Sequence, residues 1–296
     1  LTTSHGLGIQ VSLDVNGELT SSYQGASSRT KLQEVPDCVE RAVHWAQVTQ
    51  NPLQVESEAV DAPVLMTSEG FSPLFSMVVP PAMTGEKMVR KESFWAENLG
   101  KQVINSTLSL HDNGLLEGGM SSGSRDAEGV PRQHRALVED GRLCNMLWST
   151  RDAAQQVAEG RIEAAASTGS ASSGGHQAPP STGCTELFLT SSEAPRSMEA
   201  LLAHMGDGYV VNSVMGAHTA NPSSGDFSVT TSSILKVENG EIIGSLKQAG
   251  LSGNLAKALN GAVHLGADVR RQGSYSSGSM HLPDVLLMDG LRVNPA

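Results

Sequence analysis

Alternating apolar and polar positions dominate the chain and predict β-hairpins. Segments such as LGIQVSLDV and SSILKV turn one face of a strand toward a core and the other toward solvent. Asn-Gly or Asp-Gly pairs interrupt such runs, and this dipeptide tolerates the positive φ angles of a type I′ turn. The pairs are Asn16-Gly17, Asn113-Gly114, Asp140-Gly141, Asn239-Gly240 and Asp289-Gly290. The pattern predicts an α+β fold that is mostly antiparallel β-sheet built from hairpins, with a few helices.

Helical periodicity is less frequent. In residues 34–49 it places Val39, Ala42, Val43 and Ala46 on one face. Further helices are predicted in the Ala-rich segment 149–160, between a Ser cap and a Gly stop in 197–206, and in 252–266 with a break near Gly261.

Two segments lack periodicity and suggest how the chain is divided. Residues 51–63 predict a linker, and the Ser/Gly/Pro-rich residues 167–183 predict either a surface loop or a loop that lines a cleft. We therefore expect a hairpin and helix in residues 1–57, from the end of a preceding region, and one main domain in residues 58–296.

Charge and composition narrow the function classes. Hydrophobic residues make up 39% of the chain, which predicts a packed core, and aromatic residues only 4%. The formal net charge of −11 argues against a nucleic-acid partner and against binding to an anionic membrane. No apolar run approaches the ~20 residues that span a bilayer.

The cysteines and the first residues bear on the cellular compartment. Cys38, Cys144 and Cys184 are far apart and form no C-x-x-C pair, which is typical of a reducing compartment. The chain starts at Leu1 without a signal-peptide pattern, so we expect a cytoplasmic protein and the interior of a longer polypeptide. Cys38 and Cys144 lie among apolar residues and are predicted to be small core residues.

Motifs for metal, nucleophilic and phosphate chemistry are missing, and two polar clusters remain. The sequence has no H-E-x-x-H, no G-x-S-x-G and no G-x-x-x-x-G-K-[ST]. The first cluster is Asp126, Glu128 and His134; the second is His218, Asn221, Ser224 and Asp226. Paired carboxylates can act as general acid and base, but in Gly/Pro-rich segments they more often bond backbone groups and fix turns.

Taken in order, several segments resemble the TldD/PmbA family, once described as modulators of DNA gyrase. They are SHGL (4–7), SRDAEGVPRQHRALVEDGRLCNMLW (124–148), GAHTANPSSGDFSV (216–229), VENGEI (237–242) and the closing segment from Ala249. The resemblance covers essentially the whole chain and implies the fold of the family's C-terminal domain for residues 58–296.

The family resemblance also bears on metal chemistry. TldD-like members carry a zinc-binding H-E-x-x-x-H and a late cysteine, whereas PmbA (TldE)-like members lack them and partner the first kind. Here the corresponding region, 72–86, contains no His, and Phe75, Met77 and Val79 cannot bind zinc. The resemblance therefore implies a PmbA (TldE)-type chain with no metal site of its own, and zinc in a TldD-like partner.

The leading hypothesis is a non-catalytic subunit of a cytoplasmic TldD/TldE-type zinc metalloprotease that acts on unfolded peptides. Its partner would be a TldD-like subunit or a second copy of the chain, and its peptide cleft would involve His218, Asn221, Asp226 and Asn254. A second hypothesis is a hydrolase that uses Asp126, Glu128 and His218. A third is a scaffold or regulatory binding protein.

Overall fold

Strands form most of the structure, as the alternating pattern predicts. The computed structural model describes residues 3–15, 18–32, 35–54, 58–173, 175, 177–273 and 278–295. The strands are β1 (His5–Val15), β2 (Glu18–Ser28), β3 (Val60–Asp61), β4 (Val64–Met66), β5 (Leu108–Asn113), β6 (His134–Glu139), β7 (Arg142–Leu143), β8 (Ala171–Ser172), β9 (Ser181–Thr182), β10 (Glu186–Ser191), β11 (Gly208–Met215), β12 (Asp226–Glu238), β13 (Glu241–Leu246), β14 (Ala249–Asn254), β15 (Val263–Gly273), β16 (Ser279–Leu287) and β17 (Leu291–Pro295).

Six α-helices and one 3₁₀ turn complete the described residues. They are α1 (Val35–Val48), α2 (Ser68–Ala82), α3 (Gly85–Val89), α4 (Thr150–Ala158), α5 (Met198–Met205), α6 (Leu255–Asn260) and the 3₁₀ turn Ala217–Thr219. The structure confirms the helices predicted near residues 40, 155 and 200. The fourth prediction, 252–266, is correct only for α6, because the chain from Val263 is strand β15. Every helix in these ranges is too short or too polar to serve as a membrane span.

One large mixed sheet organises the main body. Within the described residues it has 13 strands in the order β3-β17-β14-β12-β11-β4-β16-β10-β5-β6-β7, with β13 paired on β12 and β15 on β16. Its pairings are antiparallel except β10 with β16 and β11 with β4. Strands β1 and β2 form a separate two-stranded sheet. The α+β, mainly antiparallel fold class is therefore confirmed.

Of the five predicted hairpin turns, two are confirmed, two are wrong and one lies outside the described residues. Asp140-Gly141 and Asn239-Gly240 are hairpin turns with positive φ at both residues (47° and 76°, 52° and 81°). Asn16-Gly17 lies outside the described residues. The Asn113-Gly114 prediction is wrong: β5 pairs with β6, but the long loop 114–133 separates them. Asp289-Gly290 is also wrong as a hairpin, because β17 pairs with β14 and β3 and not with β16. An Asn-Gly or Asp-Gly pair therefore indicates a turn, but it does not determine which strands pair with each other.

Helix α2 is the central packing element, and the sequence patterns did not predict it. Its N-cap is Thr67, whose hydroxyl accepts from the N–H of Gly70 (3.3 Å). Prolines inside the helix (Pro73, Pro80, Pro81) hide the helical signal. Even so, most of its residues are buried, and Phe71 packs on Phe75 with ring centroids 5.1 Å apart. Tertiary burial against β11, β15 and β16 overrides the local cost of the prolines.

The hairpin β1–β2 and helix α1 pack together and are joined to the main body by ion pairs. The buried face of α1 carries Cys38, Ala42 and Trp45, whereas Val39 is exposed, so the predicted helix face was wrong by part of a turn.

The boundary proposed after residue 57 lies beside residues 55–57, which are outside the described residues, and it stays a prediction. Cys144, predicted to be a core residue, is exposed at the end of β7.

Arginines from both sides form the joint between α1 and the main body. Arg270 Nη2 on β15 lies 3.0 Å from Asp37 Oδ1 on α1, and also contacts Asp268 at 2.6 Å. Arg41 Nη2 on α1 lies 2.7 Å from Glu69 Oε2 at the start of α2. These side chains are only partly exposed, so solvent screens the joint less than it would surface pairs.

Buried carboxylates tie the loop after β5 to the sheet. Asp112 Oδ1 accepts from the backbone N–H groups of Thr185 (2.7 Å) and Glu186 (2.9 Å). The carboxylate of Glu186 is fully buried, accepts from the N–H of Ser121 (2.6 Å) and lies 2.9 Å from His281 Nε2. Burial raises the pKa of Asp112 to about 6, although the two backbone hydrogen bonds oppose the increase.

We predict that Gly85→Ala destabilises the protein. A Cβ at this position would lie 2.0 Å from the indole of Trp148, so the substitution overpacks the contact between the start of α3 and the segment before α4. The free energy of unfolding should fall by about 1–3 kcal/mol in urea titrations. Gly123→Ala, with no contact closer than 3.8 Å, is the matched control. Equal stability of the two variants would contradict the packing described here.

We also predict that Asp112→Asn flattens the pH dependence of stability. The pKa of Asp112 is about 6 in the folded protein against an ordinary 3.8. Its contribution is therefore fully present below the ordinary value and is lost as the pH rises through about 6. Asparagine keeps the acceptor oxygen but does not ionise. Unfolding free energies measured from about pH 4 to about pH 7 should fall by roughly 2–3 kcal/mol less in the variant. Asp61→Asn, at a carboxylate that is 78% exposed, is the matched control.

Candidate functional site

The carboxylate of Asp126, the first predicted site residue, accepts hydrogen bonds from backbone amides. Its Oδ1 accepts from the N–H groups of Glu128 (2.9 Å) and Val130 (2.9 Å). Its Oδ2 accepts from the N–H of Ala171 (3.0 Å) on β8. The side chain is buried and joins its own turn to a distant strand. Such contacts are those of an acid that fixes a turn.

Glu128 holds the start of a helix. Its carboxylate accepts from the backbone N–H groups of Thr150 (2.5 Å) and Arg151 (3.1 Å) in the first turn of α4. These amides have no partner within the helix, and a negative charge there also complements the helix dipole. The D-x-E-G sequence at residues 126–129 thus connects three separate segments of backbone: its own turn, strand β8 and helix α4.

The second polar cluster is a loop that packs on the start of α6. Asn221 Oδ1 accepts from the N–H groups of Ser223 and Ser224. Asp226 accepts from the Ser224 hydroxyl (2.6 Å) and from Asn254 Nδ2 (2.8 Å), and these bonds lower the pKa of Asp226. Asn254 Oδ1 in turn caps α6 by accepting from the N–H of Lys257 (2.9 Å).

The remaining predicted site residues are not brought into a reactive arrangement. His218 is exposed on the 3₁₀ turn that follows β11. No contact between side chains joins it to Asp126 or Glu128 within the described parts of the chain. His134 is exposed on β6, with its ring 6.0 Å from that of His111. The geometry therefore gives no support to a hydrolase built on these two acids and His218.

The region that the family resemblance relates to a zinc motif does not fit zinc. In residues 72–86, Phe75 and Val79 are fully buried and Met77 packs against the core. The carboxylate of this stretch, Glu86, pairs with Arg90 at 3.0 Å. Across the described ranges no three His, Cys, Asp or Glu side chains are grouped to hold a metal ion. The side chains of α2 serve the core, and a zinc ion would find no ligand set there.

A polar cavity lies between the hairpin and the main body. It has a volume of about 570 Å³ and is lined by β2, the first turns of α2, β11, β12 and the end of β15. A second cavity of about 420 Å³ adjoins it along β2 and β15, and both contain Gly25, Ala26, Arg271 and Gln272. Each of β2 and β15 has a strand partner on one side only among the described residues.

Sequence patterns could not have identified this cavity. Its walls come from elements that are distant along the chain, and serines and single amides line most of it. The predicted loop 167–183 lines a different cavity, of about 430 Å³, through Pro179, Pro180 and the residues of β9.

Comparison with known proteins shows one family. Residues 59–294 match the family model described as the PmbA/TldA metallopeptidase C-terminal domain. The chain is 28% identical over 271 residues to an uncharacterized protein of Methanocaldococcus jannaschii, covering 91% of this chain and 60% of that protein. It is 27% identical over 286 residues to metalloprotease PmbA of Escherichia coli O157:H7, covering 96% and 58%.

Structural similarity agrees with the sequence match. The crystal structure of TldE from Thermococcus kodakarensis has a TM-score of 0.85 to this chain at 23% identity, covering 98% of this chain and 63% of that one. The chain thus spans about three fifths of the length of the relatives it matches. From the family model, the order of the motifs and the shared architecture, we conclude that this chain belongs to the PmbA/TldD metallopeptidase family.

Proposed function

We propose that this chain is a non-catalytic, TldE-type subunit of a TldD/TldE zinc metalloprotease that processes unfolded peptides in the cytoplasm. The zinc would be held by a TldD-like partner subunit, and this chain would contribute peptide-binding surface. The observation that carries the proposal is the composition of α2. Where TldD-like members are expected to hold zinc, this helix presents buried Phe75 and Val79.

The cost of converting α2 into a metal site supports the same assignment. Replacing a buried aromatic or aliphatic side chain with a polar ligand removes core packing worth about 2–5 kcal/mol at one position. An imidazole without a metal would then be a buried polar group that lacks a partner. The helix is therefore committed to packing, which is compatible with a binding role and not with its own zinc chemistry.

The two cavities between β2 and β15 give a physical route for peptide binding. Both strands have an unpartnered side within the described residues, and both line the same space. An extended peptide can add to such a strand through backbone hydrogen bonds, largely independently of its side chains. Unfolded chains expose the donors and acceptors that this mode requires along their whole length, whereas folded proteins have most of theirs paired.

Cleavage assays with separated subunits test the proposal. The purified chain, a TldD-type subunit from the same source and their mixture are each incubated with an unfolded peptide. We expect no cleavage by this chain alone, and cleavage by the mixture that exceeds that of the TldD-type subunit alone. A zinc chelator should abolish the activity of the mixture, because the metal belongs to the partner.

Variants of this chain make the assay decisive. Glu128→Gln weakens a helix-capping contact only, so the mixture should keep most of its activity if the variant folds, as checked by circular dichroism. Cleavage by this chain alone that Glu128→Gln abolishes would overturn the proposal in favour of an independent hydrolase. A mixture no more active than the partner alone would favour a scaffold role.

A further inference from the structure

The larger cavity between β2 and β15 contains a cationic side chain that has no partner among the described residues. Arg271 lies near the end of β15, opposite His281 in the register of the sheet, and lines both cavities. No ion pair or hydrogen bond involves its guanidinium within the described residues, whereas the neighbouring Arg270 bonds Asp37 and Asp268.

A second donor in the same cavity is also unsatisfied. Gln24, on β2, is 3% exposed, and its amide Nε2 is buried without a hydrogen-bond partner. An unmade hydrogen bond of this kind costs about 1–3 kcal/mol, so it persists only where something compensates for it. Gln24 on β2 and Arg271 on β15 both line this cavity.

The other polar groups of the cavity do not neutralise these donors. Glu69 is the acidic side chain among the lining residues, and its carboxylate already accepts from Arg41 (2.7 Å) and from the Ser68 hydroxyl (3.2 Å). Asn212 accepts from the Thr67 hydroxyl at 2.8 Å, so its oxygen is taken and its amide nitrogen remains. The cavity therefore offers donors and lacks a free acceptor of matching charge.

We infer that this cavity binds a carboxylate of the peptide, with Arg271 as its charged donor and the Gln24 amide, after its side chain turns toward the cavity, as its neutral donor. A guanidinium presents paired N–H groups that match the two oxygens of a carboxylate, and a side-chain amide adds a neutral hydrogen bond. The carboxylate could be the C-terminus of the peptide or an acidic side chain. This inference rests on the proposed peptide-binding function and adds a chemical preference to it.

Binding of three labelled peptides to the full chain, alone and in complex with a TldD-type subunit, tests the inference. The peptides share one flexible Gly/Ser-rich sequence with an N-terminal fluorophore. One has a free C-terminal carboxylate, one has a C-terminal amide, and one has a C-terminal amide and an internal Glu. Fluorescence anisotropy should give tighter binding for a carboxylate peptide than for the uncharged amide. The preferred peptide then identifies the source of the carboxylate.

Variants assign the preference to the two donors. Arg271→Gln should weaken binding of the preferred peptide by about tenfold or more, and Gln24→Met by about threefold to tenfold, with little effect on the uncharged amide. Arg271→Lys should restore only part of the affinity, because lysine lacks the paired geometry. Arg142→Gln, an exposed arginine on β7, removes the same charge elsewhere and should change binding less than twofold.

Several outcomes would overturn the inference. They are equal binding of all three peptides, equal effects of Arg271→Gln and Arg142→Gln, or no binding of any peptide by the chain or by the complex. Equal binding of the peptides would leave the proposed subunit role intact and remove only the carboxylate preference. A thermal unfolding curve for each variant separates loss of a contact from loss of the fold.

Discussion

The burial of α2 is the constraint on which the rest of the structure depends. The helix packs against β11, β15, β16 and α6. Its sequence has little helical propensity of its own, so these contacts stabilise it. Burial of a side chain such as Phe75 contributes roughly 2–3 kcal/mol, comparable to the cost of about 3 kcal/mol for one proline in a helix interior. The free energy from burying many of its residues exceeds the cost of its three prolines, so the helix depends on its contacts with the sheet.

The same burial determines what the chain can do chemically. Apolar contacts occupy the helix where a metal site would have to form, and carboxylates elsewhere are committed to backbone amides. Asp126 and Glu128 connect a turn, a strand and a helix. Asp112 and Glu186 connect β5 and the loop after it to the start of β10. At the joint with the N-terminal hairpin, Arg271 lines a polar cavity and has no partner among the described residues.

The sequence was sufficient for the fold class but not for the arrangement of the strands. Alternation and Asp140-Gly141 or Asn239-Gly240 predicted hairpins correctly, because such turns depend on local φ angles. The same chemistry at Asp289-Gly290 led to a wrong strand pairing, since pairing is decided by nonlocal packing. Helix α2 was not predicted because its prolines obscure the helical pattern, and its stability comes from tertiary burial. The cavity donors Gln24 and Arg271 come from opposite ends of the chain, and no motif links them.

Native mass spectrometry of the isolated chain and of its mixture with a TldD-type subunit distinguishes the proposed non-catalytic subunit from an independent metalloenzyme. If the proposal is correct, the isolated chain carries no stoichiometric metal, because Phe75 and Val79 occupy the core face of α2. A heterodimer should then hold one zinc ion, which the TldD-type subunit retains when the subunits are separated. One tightly held zinc ion in the isolated chain would contradict the proposal.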